Sequence, residues 1–211
     1  MSDDWPPPVS TVSSSKMEAM AFWCASDFIQ EIGAVIIDRD TDRVLLVYDE
    51  LRRMYTLPRS LKEDDEDLLA PLDGAQAKSG LRCSRLPLPR LTKRYIVPPD
   101  KNWDNLQAKT AYLPSELITD PFYVSFCTYW RKAKDVQWPD GYQLITYWFS
   151  GTIEVDNGEG LQLEPPDESQ QPRYMLVSVQ DALARLKNED PAACGALSMF
   201  QAIWTVGKGL V

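Results

Sequence analysis

The 211-residue chain contains no histidine. That absence removes the imidazole general base, the Ser-His-Asp and Cys-His nucleophile systems, and every zinc site with a histidine ligand. Chemistry here has to run on carboxylates, Lys, Tyr, Cys, or a metal held by oxygens. Cysteine is sparse as well. Cys24, Cys83, Cys127 and Cys194 lie far apart with no C-x-x-C pair, which predicts free, buried thiols in a reducing intracellular setting, the cytoplasm or else the nucleus, with two disulfides in a secreted protein as the alternative. No apolar run approaches the ~20 residues of a membrane span. The longest, such as Gly33–Ile37 and Val44–Tyr48, are strand-sized. Positive charge is in deficit: 22 Lys and Arg against 31 Asp and Glu leave a net charge of −9. A nucleic-acid binder needs a basic footprint, so neither nucleic acid nor membrane is expected as a partner.

What is present suits one globular domain, since 44% of the residues are hydrophobic and 10% aromatic. Residues 1–20, with Pro6-Pro7-Pro8, read as a flexible Pro/Ser-rich leader with acid and proline where a signal peptide needs base and an apolar core. The domain is expected over 21–211. Met17, Met20, Ala21, Cys24 and Phe28 fit one helical face. Gly33–Ile37 and Val44–Tyr48 are β-rich runs around a polar turn at Asp38–Arg43, which predicts a hairpin. Glu63 to Asp67 are five consecutive acids. Residues 67–79 suggest a short helix, but Pro71 and Gly74 cost about 3 and 1 kcal/mol in a helix interior, so it should be broken, shortened or begin at Pro71. Leu81–Val97 reads as extended and locally basic. Residues 98–121 are expected to be a loop-rich insertion, and residues 154–172 a proline- and acid-rich loop. Phe122–Trp130, Leu144–Ile153 and Tyr174–Val179 read as strands. Two helices should follow, one capped by Ser178 and one from Pro191 capped by Asp190. Strands with helices inserted, and no repeat, indicate an α+β arrangement or mixed-sheet sandwich.

Several of these pieces, in this order, resemble the Nudix superfamily, especially its diphosphoinositol-polyphosphate and dinucleoside-polyphosphate hydrolase-like branch. They are Gly33-Ala-Val-Ile-Ile, Val44-Leu-Leu-Val-Tyr, Leu57-Pro-Arg-Ser-Leu-Lys-Glu-Asp-Asp-Glu-Asp-Leu-Leu, Lys78-Ser-Gly-Leu-Arg-Cys, the strand with Tyr147-Trp-Phe149, and Met175–Leu186. The resemblance covers about residues 30–206 and implies an α/β/α sandwich with a mixed sheet. It also implies a loop-helix-loop signature, G-x5-E-x7-R-E-U-x-E-E-x-G-U with U aliphatic, whose helical glutamates hold Mg²⁺ or Mn²⁺ against a pyrophosphate. Aligned from the left, Ser60 takes the opening glycine position and Glu66 the first glutamate. Aligned from the right, Gly80 and Leu81 take the last two positions. The frames agree after a one-residue deletion near Ala70–Leu72. The helical carboxylates then become Gly74, Ala77 and Lys78, and the arginine becomes Asp73.

A three-carboxylate site that has lost all three and gained a cation implies a degenerate, catalytically impaired Nudix homologue. It is expected to bind a phosphorylated small molecule or a protein partner, with no cofactor. The alternative is a divergent active hydrolase using Mg²⁺ or Mn²⁺ at Glu66, the one catalytic candidate that matches the signature; a repurposed pocket with non-hydrolytic chemistry is a third reading. Lys78 is the leading candidate to take an anion where the metal would sit, with Arg59, Lys62, Arg90, Lys93 and Arg94 as further candidate ligand-binding cations. The aromatic strands, with Phe122, Tyr123, Phe126, Tyr129 and Trp130 in one and Tyr142, Tyr147, Trp148 and Phe149 in the other, are candidates either for core or for ring stacking, with Tyr147 and Phe149 on one face and Trp148 on the other.

Overall fold

A computed structural model describes residues 23–62, 69–96, 107–132, 140–153 and 173–208. Its strands are β1 (Phe28–Asp38), β2 (Arg43–Asp49), β3 (Met54–Thr56), β4 (Arg59–Leu61), β5 (Cys83–Arg85), β6 (Leu88–Ile96), β7 (Gln107–Ile118), β8 (Tyr123–Lys132), β9 (Asp140–Ile153) and β10 (Tyr174–Ser178). Its α-helices are α1 (Ala70–Ser79), α2 (Val179–Glu189) and α3 (Pro191–Gly207). Eight strands form one mixed sheet with the central order β10-β2-β1-β9-β5. Strand β3 pairs with β2, β4 with β1, and β8 with β9. The β1–β9 pair is parallel, from Phe28↔Gln143 to Ile37↔Thr152, while the other pairings are antiparallel.

Strand β1 is buried without interruption from Glu31 to Ile37, the pattern of a strand covered on both faces. Alternation sends Val35 and Ile37 to one side, against Leu197, Phe200 and Ile203 of α3 and Leu186 of α2. Ala34 and Ile36 go to the other side, against Leu72 and Ala75 of α1. The fold is therefore α+β, with a mixed sheet between helices. The expected hairpin is β1–β2. Ser178 and Asp190 cap α2 and α3, accepting from the backbone N–H groups of Asp181 and Ala193.

Two local expectations differ from what is found. Residues 107–118 of the segment read as loop-rich form β7, which pairs with β6 in a separate two-stranded sheet. The register jumps there from Leu113↔Arg90 to Leu117↔Pro89. Pro114 sits inside that irregularity, so its missing N–H breaks no ladder bond, and it does not exclude a strand. Phe28, placed on a helical face from its spacing, is instead the first residue of β1, after a 3-10 turn at Ala25–Asp27. The leader, the acids Glu63–Asp67 and the loop at 154–172 lie outside the described residues.

Candidate functional site

Helix α1 answers where the signature residues fall. It begins at Ala70 with Pro71 in its first turn, where the missing N–H is harmless. It ends at Gly80, whose φ of 70° is the left-handed C-cap geometry that favours glycine. Pro71, Leu72, Ala75 and Ser79 are buried. Asp73, Gly74, Ala77 and Lys78 are exposed on its outer side. The right-hand frame thus places its aliphatic position, Ala75, in the core, its terminal glycine at the cap, and its three carboxylate positions toward solvent. Lys78 donates from Nζ to the backbone carbonyl of Tyr48 at 3.4 Å. Among the described residues, no group of three or more Asp, Glu or Cys is arranged to hold a metal. Glu66 lies outside the described residues.

The other cations are spread over different surfaces. Arg59 and Lys62 flank the short strand β4 but lie on opposite faces of the sheet. Arg59 stacks 5.3 Å from the Trp148 ring, and the Lys62 ammonium lies 5.9 Å from the Tyr147 ring, its neighbour in β9. Lys62 also donates to Gln30 Oε1 at 3.3 Å. Arg90 is exposed on the β6–β7 hairpin and bonds Glu116 at 3.3 Å. Lys93 and Arg94 lie further along β6, and their side chains are outside the described residues.

Buried charge is concentrated around Arg59. Its side chain is 6% exposed and reaches the N-terminus of α3, where Nη2 donates to Asp190 Oδ2 and, at 2.9 Å, to Thr56 Oγ1. Thr56 itself donates to Asp190 Oδ2 at 2.7 Å. Glu31 Oε2 lies 3.6 Å from Arg59 Nη1 and accepts from Thr146 at 3.3 Å. Arg52 closes the outer side, 3.9 Å from Glu31, 3.7 Å from Asp190 and 3.8 Å from Asp49. Arg59 Nε and Nη1 have no hydrogen-bond partner among the described residues. Burial lowers the Arg59 pKa below its ordinary value, and the Arg52 charge adds to that, while Glu31 opposes both. Burial raises the Cys127 thiol and the Tyr129 phenol nearby, which disfavours either as a nucleophile at neutral pH. Two arginines face three carboxylates, so the cluster already carries a negative surplus and is a poor receptor for a phosphate. Its observed work is to tie β4 and β1 to the cap of α3.

Sequence reasoning selected Arg59 as a cation but missed Glu31, Arg52 and Asp190 as its partners. Glu31 carried a signal: it is the one charged residue in the run Phe28–Ile37, and a buried carboxylate needs a partner. Arg52 carried none, because its place is set by the Asp49 side chain, which accepts from the Leu51 and Arg52 N–H groups in the β2–β3 turn.

No family model matches the sequence, and no curated protein does. Solved structures do match. An Ap4A hydrolase binary complex from C. elegans is 14% identical, covers 84% of this chain and 98% of its own, and has a TM-score of 0.45. A NUDIX hydrolase from Nitrosomonas europaea is 15% identical over 82% of this chain and 88% of its own, with a TM-score of 0.41. A NUDIX-family hydrolase from Clostridium perfringens is 16% identical over 84% and 96%, with a TM-score of 0.41.

Proposed function

We propose that this chain is a Nudix-like protein that binds a phosphorylated small molecule without hydrolysing it. The observation that carries this reading is the outer side of α1. A metal that activates water on a pyrophosphate needs carboxylates clustered on one helix face. In the register that buried Ala75 and the Gly80 cap support, those positions hold Gly74, Ala77 and Lys78. An ammonium beside a divalent ion repels it, by an amount that solvent screening reduces at an exposed site. The same ammonium attracts a phosphate.

Lys78 and Lys62 are the proposed phosphate contacts, since both are exposed and lie on the α1 side of the sheet. Arg59 serves as a buried support for β4. Arg90 is already paired with Glu116 and is not assigned to the phosphate. None of the four cysteines is in a disulfide and, against expectation, none is buried: Cys24 is exposed and Cys83, Cys127 and Cys194 are half-buried; reduced thiols fit a reducing intracellular compartment. No helix among the described residues is long and apolar enough to cross a membrane.

The test is to incubate the full chain with diadenosine polyphosphates, ADP-ribose and diphosphoinositol phosphates in Mg²⁺ or Mn²⁺, while measuring binding by calorimetry. The expected result is binding weakened by Lys78→Ala, with no product release. Metal-dependent turnover that falls in Glu66→Gln would overturn the reading and establish an active hydrolase.

A further inference from the structure

Helix α1 covers only part of its side of the sheet, packing mainly on β1, β2, β4 and β5. The two faces of β9 show the result. Leu144, Thr146 and Trp148, on the α3 side, are buried, whereas Ile145 and Tyr147, on the α1 side, are half-buried. The register sets Phe126 beside Ile145 and Val124 beside Tyr147. Phe28 lies on the same face at the start of β1. Phe126 is 71% exposed, Phe28 46% and Val124 37%. A single exposed Phe is ordinary, but a contiguous apolar set of this kind marks a surface that something covers. Lys62 stands at its rim, over the Tyr147 ring and bonded to Gln30, with no carboxylate paired to it among the described residues.

Residues 1–22 join the described chain beside this face. Trp23 is followed by the 3-10 turn Ala25–Asp27, locked by the Asp27 carboxylate, which accepts from the Cys24 N–H at 2.7 Å. That turn packs against β9, the middle strand of the exposed face, so the chain reaches β1 from the β9 side. Residues 17–22 read Met-Glu-Ala-Met-Ala-Phe, five apolar side chains and one carboxylate. Six residues span up to ~20 Å when extended. From β1 to β8 is two strand spacings, ~10 Å. Methionine suits an irregular aromatic surface, because its side chain is flexible and its sulfur makes favourable contacts with rings.

We infer that residues 17–22 dock on this face of their own chain, with Met17 and Met20 against Phe126 and Tyr147, and Glu18 at the Lys62 ammonium. Reach, direction of entry, apolar composition and the one opposite charge all point to this occupant. The docked segment stands over one of the two proposed phosphate contacts and is an internal competitor for the anion there. That consequence rests on the phosphate reading; the contact itself does not.

The contact can be read in the full chain by nuclear magnetic resonance of isotope-labelled methionine methyl groups. Met175 and Met199 pack on the core of the α3 side and report whether the fold is intact. The Met17 and Met20 methyls are expected to show nuclear Overhauser effects to the Phe126 and Tyr147 rings, with upfield shifts that Phe126→Ala removes. Met175 and Met199 should not move in that variant, since Phe126 is largely exposed. Met17 and Met20 at free-chain shifts, indifferent to Phe126→Ala, would overturn the inference. So would a dimer in sedimentation that Phe126→Ala dissociates, with Overhauser effects running between copies in a mixed-label sample. Replacing both Met17 and Met20 by Ala should uncover the face, seen as increased fluorescence of anilinonaphthalene sulfonate. Pyrophosphate calorimetry then separates the two readings. The double variant is expected to bind pyrophosphate more tightly than the parent, and equal affinity would remove the competition. Methyl contacts without pyrophosphate binding in either protein would sink the phosphate reading and leave the docked segment standing.

Discussion

Gly33 lies directly beneath the indole of Trp148, so close that a Cβ at position 33 would stand 2.5 Å from its Cε3 and Cζ3. The two residues are paired across β1 and β9. The ring is held in place by its own Nε1–H, which donates to Ser125 Oγ at 2.9 Å, and it carries the Arg59 guanidinium on its face. Glycine at 33 is what lets an indole lie flat on the sheet and support a buried arginine.

Gly33→Ala therefore forces the ring, and with it Arg59, to move. Overpacking of this kind costs about 1–3 kcal/mol. The expected result is a lower urea midpoint with an unchanged m-value, together with a change in near-ultraviolet circular dichroism from the displaced Trp148. A variant as stable as the parent would show that the close approach is not a constraint.

Asp190 has two tasks that a pair of substitutions separates. Its Oδ1 caps α3, and its Oδ2 receives Arg59 and Thr56. Asp190→Ala removes both and leaves Arg59 buried beside Arg52 with Glu31 and the more distant Asp49 in opposition. The expected loss is about 3–5 kcal/mol, the usual cost of orphaning a buried charge. Asp190→Asn also removes the charge but keeps the cap through its single amide oxygen, so it should lose less than Asp190→Ala by about the worth of a cap, ~1 kcal/mol. Equal losses from the two variants would mean that the cap contributes nothing beyond the charge.

Asp42 joins the β1–β2 turn to the end of α3, accepting from the Lys208 ammonium and, at 3.4 Å, from Trp204 Nε1. The Lys208 hydrogen bond leads in lowering its pKa below the ordinary 3.8, and burial opposes it. A carboxylate with a depressed folded value contributes stability above its unfolded value, and loses it as pH falls through the folded one. The group is largely exposed, so the contribution is at most about 0.5 kcal/mol. Asn suits the left-handed φ of 54° found at Asp42. Asp42→Asn should thus be slightly less stable than the parent from pH 5 to 7, and the gap should close below pH 3.8. A gap that is constant down to pH 2 would contradict the ion pair.

The parts of this fold legible in the sequence are those fixed by local periodicity and caps. Val44–Tyr48, Ser178 with Asp181, and Asp190 with Pro191 state their elements within a few residues. β7 was illegible because its strand character comes from pairing with β6 and from a bulge that absorbs Pro114. The site divides in the same way. Gly74, Ala77 and Lys78 could be placed because a motif has a register. The Arg59 cluster is assembled from β1, the β2–β3 turn, β4 and the start of α3, and no spacing along the chain encodes such a meeting.

The register of α1 can itself be tested by restoring what it lacks. A Cβ at Gly74 would meet nothing within 4 Å, and Ala77 and Lys78 are exposed, so Gly74→Glu, Ala77→Glu and Lys78→Glu can be introduced together without a clash. Positions 74, 77 and 78 are three and four residues apart, which sets the three carboxylates on one helix face. Replacing Gly74 also removes a residue that costs about 1 kcal/mol in a helix interior, so Gly74→Ala alone should raise the urea midpoint. The triple variant is expected to gain saturable Mn²⁺ binding, visible as loss of the free-ion signal in electron paramagnetic resonance and as a calorimetric isotherm that the parent does not give. The parent should also lack the metal-dependent rise in melting temperature that the variant shows. If the variant gains no Mn²⁺ site while Gly74→Ala is stabilising, the helix is as described but the carboxylate positions have been assigned to the wrong residues. The proposal of a binding protein without hydrolysis would then lose the observation that carries it.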